Sequence, residues 1–231
     1  MKKNAIIAVL SAAVLMTSCF KPDPVIYGCS DMCNVENSVL ISDFGGTYHV
    51  MEEKDSDWRS HARMHVSFDI LETISRNEYN IRLNDCIPYT VKSILHESAA
   101  TSEERRADPV CLGQGFFSGS SIYFNIQCMY TRRKGSSSLH DLNLIYDDDK
   151  SSTGHLFFHM AHNAHGDIYK EGVSANDCES VLAHISFPMS QVIKQGTGEI
   201  QITIDYTWYK TAGSSLSTET EVFENTTTIN Y

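Results

Sequence analysis

The chain has 231 residues, with 18 Lys and Arg against 29 Asp and Glu, and a formal net charge of −11. Nucleic-acid binding needs a basic stripe for the phosphates, so this balance argues against a nucleic-acid partner. It also disfavours adsorption to anionic lipid head groups.

The N-terminus has the pattern of an export signal. Lys2 and Lys3 precede an uncharged apolar run that ends at Met16. This run is shorter than the roughly 20 residues that a membrane span needs, but it fits the apolar region of a secretory signal. Small residues then precede Cys19. We predict a signal peptide over 1–18 and a lipid such as palmitate on Cys19, with an ordinary cleaved signal and an incidental cysteine as the alternative.

The predicted lipid would be the protein's link to a membrane. It would anchor the exported chain to the outer membrane, on the periplasmic face or at the cell surface. Residues 19–42 contain Pro22, Pro24 and Gly28 among scattered polar residues, and we interpret them as a lipidated tether. Loss of the two lysines of the signal would take the net charge from −11 to −13.

Six cysteines follow Cys19, and an exported chain meets an oxidising compartment in which they could form disulfides. Cys29 and Cys33 could close a small loop with each other, and the sequence does not choose among the other pairings. The candidates for disulfides are Cys29, Cys33, Cys86, Cys111, Cys128 and Cys178.

Beyond the tether, apolar and polar residues alternate as they do in half-buried strands. Residues 64–70, 79–83 and 89–95 predict three strands, and the polar segment 96–109 predicts a domain boundary. A second series follows at 122–130, 142–146, 155–160, 184–189 and 200–209, and the Thr-rich residues 226–231 predict a last strand. We therefore expect an all-β protein with one domain over 43–110 and an antiparallel β-sandwich over 111–231.

Four histidines provide the most specific candidate for chemistry. His155, His159, His162 and His165 could bind a metal such as zinc or copper, although alternation along a strand would turn His162 away from the others. The acidic run 147–149 does not fit a calcium loop, because Ser152 and Phe158 occupy the positions that need glycine and glutamate. It is better explained as a solvated hairpin tip.

The chain lacks familiar catalytic motifs, including His-Glu-x-x-His and a phosphate-binding glycine loop. Aromatic residues are plentiful, and alternation would place Tyr123 and Tyr209 on outer strand faces. Exposed aromatics can stack on sugars or anchor a protein partner, although cross-strand packing and sheet propensity are the better explanation of most of them.

Several short stretches resemble the NigD-like lipoproteins of Bacteroidetes. They include Asp43-Phe44-Gly45-Gly46, residues 62–68 and 79–84 in the first half, and residues 142–147, 156–163, 185–189 and 200–202 in the second. The resemblance implies an N-terminal OB-type barrel, here 43–110, and a C-terminal β-sandwich. The family supplies no catalytic residues to carry over.

Together these observations predict a cell-envelope lipoprotein that is not an enzyme. We expect a binding or interaction module that contacts an unidentified protein or glycan. In one version of this hypothesis, the module is an immunity-type protein. The alternative is an envelope metal-binding protein that uses the His155–His165 cluster. No cofactor is expected apart from that metal.

Overall fold

A computed structural model describes residues 24–54, 57–118, 123–193, 198–212 and 215–230. Its regular structure consists of fourteen strands and three single-turn 3₁₀ helices, at Trp58–Ser60, Ala175–Asp177 and Met189–Gln191. The all-β class is therefore confirmed. No helix in the described ranges has the length and apolar character needed to cross a membrane.

The first five strands close into a barrel with the order β1-β2-β3-β5-β4. They are β1 (Ile26–Glu36), β2 (Val39–Ser42), β3 (Thr47–Glu53), β4 (Arg63–Ser75) and β5 (Glu78–Pro88). All neighbours are antiparallel except β3 and β5, which are parallel. The five strands and their closure support the predicted OB type, which stays an interpretation.

Alternation along β4 builds the barrel core. Met64, Val66 and Phe68 are buried, while His65 and Ser67 between them are partly exposed. They pack with Leu40, Tyr48, Trp58, Ile81 and Leu83. The period-two prediction for this segment is confirmed.

The predicted tether is too long, because the barrel begins earlier than expected. β1 and β2 lie inside residues 19–42, and β1 pairs with both β2 and β4. Asn37 and Ser38 have φ values of 50° and 64° and form the two-residue turn between them. Positive φ at both central positions is the geometry of a tight hairpin turn, so this stretch reverses direction rather than acting as a spacer.

The remaining nine strands form two facing sheets, which confirms the predicted sandwich. It is not wholly antiparallel, because three of the described strand pairs run parallel. The five-stranded sheet has the order β14-β13-β11-β10-β7, and the four-stranded sheet has the order β6-β12-β9-β8. The strands are β6 (Thr90–Val91), β7 (Leu95–His96), β8 (Val110–Ser118), β9 (Tyr123–Arg133), β10 (Asp141–Tyr146), β11 (His155–Asn163), β12 (Cys178–Pro188), β13 (Glu199–Ala212) and β14 (Ser215–Asn230).

The core of the sandwich lies between the inner faces of these sheets. Ile200, Ile202 and Ile204 of β13 are buried there, as their spacing predicts. Phe124 and Ile126 of β9 and Ile185 and Phe187 of β12 oppose them.

The segment 89–109 differs from its prediction in two ways. The single strand expected at 89–95 is two short strands, because β6 pairs with β12 in one sheet and β7 pairs with β10 in the other. The expected boundary segment 96–109 folds onto the sandwich, where Arg106 and Asp108 exchange backbone hydrogen bonds with His162. The barrel strands end at Pro88, well before residue 110.

Candidate functional site: the junction of barrel and sandwich

Arg63, the first residue of β4, lies where the barrel meets the sandwich and has no exposed surface. Its Nη1 and Nη2 donate to the two carboxylate oxygens of Asp43, at 2.8 and 2.5 Å, and Nη1 also donates to Asn34 Oδ1 at 3.0 Å. A planar guanidinium can make this two-pronged bond, whereas a lysine ammonium cannot. These bonds fix Arg63 to the barrel.

The same guanidinium is bonded to the four-stranded sheet. Its Nε donates to Ser186 Oγ at 2.9 Å, and Nη2 donates to Asn125 Oδ1 at 3.1 Å. Its central carbon lies 3.7 Å from the ring centre of Tyr123, within the range of a cation–π contact. One buried side chain therefore connects residues of β9 and β12 to the barrel.

The turn between β2 and β3 forms the rim of this junction. Ser42 N–H donates to Gly46 O, Gly45 N–H donates to Ser42 O, and Phe44 N–H donates to Ser42 Oγ. Gly45 has φ +85°, a conformation that favours glycine. The turn holds Phe44 with 73% of its surface exposed.

Gly46 lies in a closely packed position. A Cβ at this position would lie 3.0 Å from the Tyr48 hydroxyl. That hydroxyl and the Ser42 hydroxyl both donate to Asp31 Oδ2, at 2.8 and 2.5 Å. Burial, followed by the bond to Asp31, raises the pKa of Tyr48, so it stays a neutral donor.

An open pocket of about 570 Å³ lies beside Arg63, between this turn and the start of β9. It is lined by Asn34, Ile41, Ser42, Asp43, Phe44, Gly45 and Tyr123. Its carboxylate, Asp43, is neutralised by Arg63 and is 2% exposed. The pocket therefore combines apolar and aromatic surface with uncharged polar groups. We call it the junction pocket.

The structure does not bring the four predicted metal-binding histidines together. His155 Nε2 lies 3.0 Å from Thr203 Oγ1, and His165 Nε2 lies 3.0 Å from Asp141 Oδ2. No group of three or more His, Cys, Asp or Glu side chains with metal-binding geometry occurs in the part of the chain that the structure describes.

His159 is held between two carboxylates on the outer face of the five-stranded sheet. Its Nδ1 lies 2.7 Å from Asp205 Oδ1, and its Nε2 lies 3.0 Å from Asp147 Oδ2. The bond to Asp205, aided by Asp147 and opposed by burial, raises the pKa of His159. Asp147 is buried and accepts the backbone N–H groups of Asp149 and Lys150, so the predicted solvated tip is wrong for this residue.

His162 is on the opposite face of β11, as alternation predicts, and is fully buried. Its Nδ1 donates to Pro109 O at 2.9 Å, and its Nε2 lies 2.9 Å from Nδ1 of His140. His140 Nε2 is 3.4 Å from Asp167 Oδ2. Burial lowers the pKa of His162 to about 4, so the ring is neutral and its Nε2 accepts from His140.

None of the cysteines predicted to pair forms a disulfide in the described ranges. Cys29 and Cys33 lie four residues apart on the extended strand β1, about 13 Å at the usual rise, which is too far for a bond between them. Burial raises the pKa of Cys128 to about 12 and also raises that of Cys33, which favours the protonated thiol at both positions. The predicted signal peptide and the lipidation site Cys19 lie outside the described residues.

The two aromatics predicted on outer faces also differ from expectation. Tyr209 is buried, and its hydroxyl donates to Tyr169 O and lies 3.0 Å from Thr131 Oγ1. Tyr123 is half-buried under Arg63. Neither Arg63 nor Phe44 was predicted as a site residue; the signal for Phe44 is a large apolar side chain beside two turn glycines.

Comparison with known proteins identifies the family. A model of the NigD-like C-terminal beta sandwich domain matches residues 93–220. No curated protein matches the chain.

Solved structures show the same fold over nearly the whole chain. A protein of unknown function from Bacteroides vulgatus is 18% identical with a TM-score of 0.60, covering 90% of this chain and 91% of its own. A NigD-like immunity protein from Bacteroides caccae is 14% identical with a TM-score of 0.55, covering 90% and 94%. A candidate lipoprotein from Bacteroides fragilis is 13% identical with a TM-score of 0.54, covering 88% and 97%.

The family match covers more than half of the chain and confirms the resemblance drawn from the short stretches. The chain belongs to the family of proteins with a NigD-like C-terminal beta sandwich domain.

Proposed function

We propose that this protein is a lipid-anchored binding module of the cell envelope, which holds its ligand in the junction pocket and catalyses no reaction. The observation that carries the proposal is the pocket itself, a concave surface between two folded units that is lined by the exposed Phe44 and the half-buried Tyr123. Ligand sites occur preferentially at such boundaries.

The chemistry of the lining favours binding over catalysis. The Asp43 carboxylate is occupied by Arg63, and the Ser42 hydroxyl donates to Asp31 while accepting from Phe44 N–H. No histidine is among the described lining residues. A serine nucleophile needs an adjacent base to activate it. A general acid or base must lie within hydrogen-bond distance of the ligand atom to which it gives a proton or from which it takes one. The described lining offers neither arrangement.

Two observations support the anchor. Cys19 follows a signal-like segment, and a solved structure with the same fold comes from a candidate lipoprotein. β1 begins at Ile26, seven residues after Cys19, a distance that spans at most about 25 Å. A lipid on Cys19 would therefore hold the barrel close to the membrane. The name of the Bacteroides caccae protein suggests an immunity-type version, in which the ligand is a toxin.

The anchor is tested by labelling cells with an alkyne analogue of palmitate. We expect the wild-type protein to take up the label and to fractionate with the outer membrane. The Cys19→Ser variant should lose the label and leave the membrane fraction. An unlabelled, soluble wild-type protein would instead identify an ordinary cleaved signal.

The binding role is tested with a photo-cross-linking amino acid at position 44 in cells. A second probe at Leu139, which is 79% exposed away from the described pocket lining, serves as the matched control. We expect a discrete adduct from position 44 and none from position 139. Equal labelling from the two positions, or none from position 44, would contradict binding in the junction pocket.

A further inference from the structure

We infer that the ligand of the junction pocket is a neutral oligosaccharide. This inference rests on the proposed binding function and adds the chemical class of the ligand. It follows from the aromatic surfaces, the fixed turn, the charge balance and the polar groups of the pocket.

The first argument is the pair of aromatic side chains. Phe44 and Tyr123 both line the pocket, and Ile41 adds apolar surface between polar neighbours. The C–H faces of a sugar ring are apolar and pack on aromatic rings, while its hydroxyls remain at the edges. Phe44 at 73% exposure offers a ring of this kind to solvent.

The second argument is that the backbone of the turn carrying Phe44 is ordered before any ligand arrives. Its backbone N–H is bonded to Ser42 Oγ, and Ser42 and Gly46 close the turn around it. A side chain on an ordered turn loses less conformational entropy on binding than one on a mobile loop. This arrangement suits weak ligands such as sugars, for which that loss would consume most of the affinity.

The third argument is charge. Both carboxylate oxygens of Asp43 accept from Arg63, and Arg63 directs its remaining donors to Asn34, Asn125 and Ser186. The described lining therefore has no unpaired charge to attract a phosphate, a sulfate or a cationic peptide. An uncharged ligand avoids the cost of removing a charge from water without a partner.

The fourth argument is the set of polar groups that remain. Arg63 has only donors, so the atom of Asn34 that it contacts is the acceptor Oδ1. The other atom of that amide, Nδ2, carries the N–H donors. The Tyr123 hydroxyl can donate or accept. Such groups match ligand hydroxyls, and about 570 Å³ lies within the usual size range of ligand pockets.

The experiment uses the mature full-length chain on an array of neutral, sulfated and sialylated oligosaccharides together with proline-rich peptides. Neutral aromatic grooves also bind proline-rich peptides, so these are the main competing class. We expect binding to one or more neutral oligosaccharides, with affinities then measured by calorimetry.

The variants assign that binding to the pocket. Phe44→Ala should weaken binding roughly tenfold, and Tyr123→Phe, which keeps the ring over which Arg63 lies, should weaken it about threefold. Leu139→Ala, which removes an equally exposed apolar side chain elsewhere, should leave the affinity unchanged. All three variants should keep the wild-type unfolding midpoint.

Binding only to charged glycans or to proline-rich peptides would overturn the inference, as would neutral-glycan binding that Phe44→Ala does not weaken. A cross-link from position 44 to a protein, with no neutral glycan bound on the array, would refute the oligosaccharide and leave the binding function standing. Loss of both signals would refute both.

Discussion

His162 shows how the burial of one residue can set the response of the protein to acid. Burial lowers its pKa to about 4, and the neighbouring His140 adds to that effect, while Pro109 O and Asp108 oppose it. An unfolded histidine has a pKa near 6.5. Between pH 6.5 and about 4, the unfolded chain therefore binds a proton at His162 and the folded chain does not. Stability therefore falls as the pH falls from about 6.5 to 4.

The expected loss from His162 is roughly 3 kcal/mol at pH 4, relative to neutral pH. It is measured as the difference in urea-unfolding free energy between the wild type and His162→Gln, which keeps polar groups but cannot titrate. The variant should be less stable at pH 7 and should lose less stability on acidification. Parallel pH profiles for the two proteins would show that His162 does not carry the effect.

His159 should behave in the opposite sense, because Asp205 and Asp147 raise its pKa. A histidine with a raised pKa stabilises the folded state below its unfolded pKa, and this contribution is lost as the pH rises through the folded pKa. An NMR titration should place the midpoint of His159 above the ordinary histidine value of about 6.5. In Asp205→Asn the midpoint should fall, and an unchanged midpoint would contradict the assigned cause.

These residue-scale features were partly predictable. Alternation placed His162 opposite His155 and His159, and the structure agrees. The partners were not predictable, since Asp147, Asp205 and His140 reach the histidines from other strands through the fold. Arg63 gave no signal at all, because its four polar partners are spread from Asn34 to Ser186.

At the scale of elements, the strands with clean alternation were predicted correctly and β1 was missed. β4 and β13 bury one face each, so period two is visible in their sequences. β1 contains Gly28 and Asp31, and its two buried residues, Met32 and Cys33, are adjacent, so its burial does not alternate. Its position is determined by pairing with β2 and β4, which a local pattern cannot show.

This correction predicts the effect of truncation. A chain starting at residue 24 should fold, because all five barrel strands are retained. A chain starting at residue 37 should lose the barrel, since β4 and β2 would each lose their pairing with β1 and Cys33 would leave the core. Hydrogen exchange over β4 and β5 is the measurement, and protection of these strands in the shorter chain would restore the tether interpretation.

At the scale of the whole molecule, the barrel and the sandwich are joined through Arg63. The side chain has no exposed surface, and its bonds run to Asp43 and Asn34 on one side and to Ser186 and Asn125 on the other. Removing one partner of a buried ion pair leaves the other charge buried and unpaired, which costs about 3–5 kcal/mol. We therefore expect Arg63→Met to be strongly destabilising.

Loss of the Arg63 guanidinium should also change how the protein unfolds. With Arg63 present, the two units should unfold in one transition. In Arg63→Met, hydrogen exchange should report one unfolding free energy for the barrel strands β4 and β5 and a different one for β9 and β12. The reason is that no Arg63 side chain then links the stabilities of the two units. Arg132→Met, which breaks a partly exposed pair with Glu179, should cost less than about 1 kcal/mol and leave one transition.

The double variant Arg63→Met, Asp43→Leu distinguishes the cost of an orphaned charge from the loss of the connection. It removes the buried carboxylate together with its partner, so most of the lost stability should return. Barrel and sandwich should still unfold in separate transitions, since the bonds to Ser186 and Asn125 are still missing. If the double variant also unfolds in one transition, packing across the junction rather than Arg63 couples the two units.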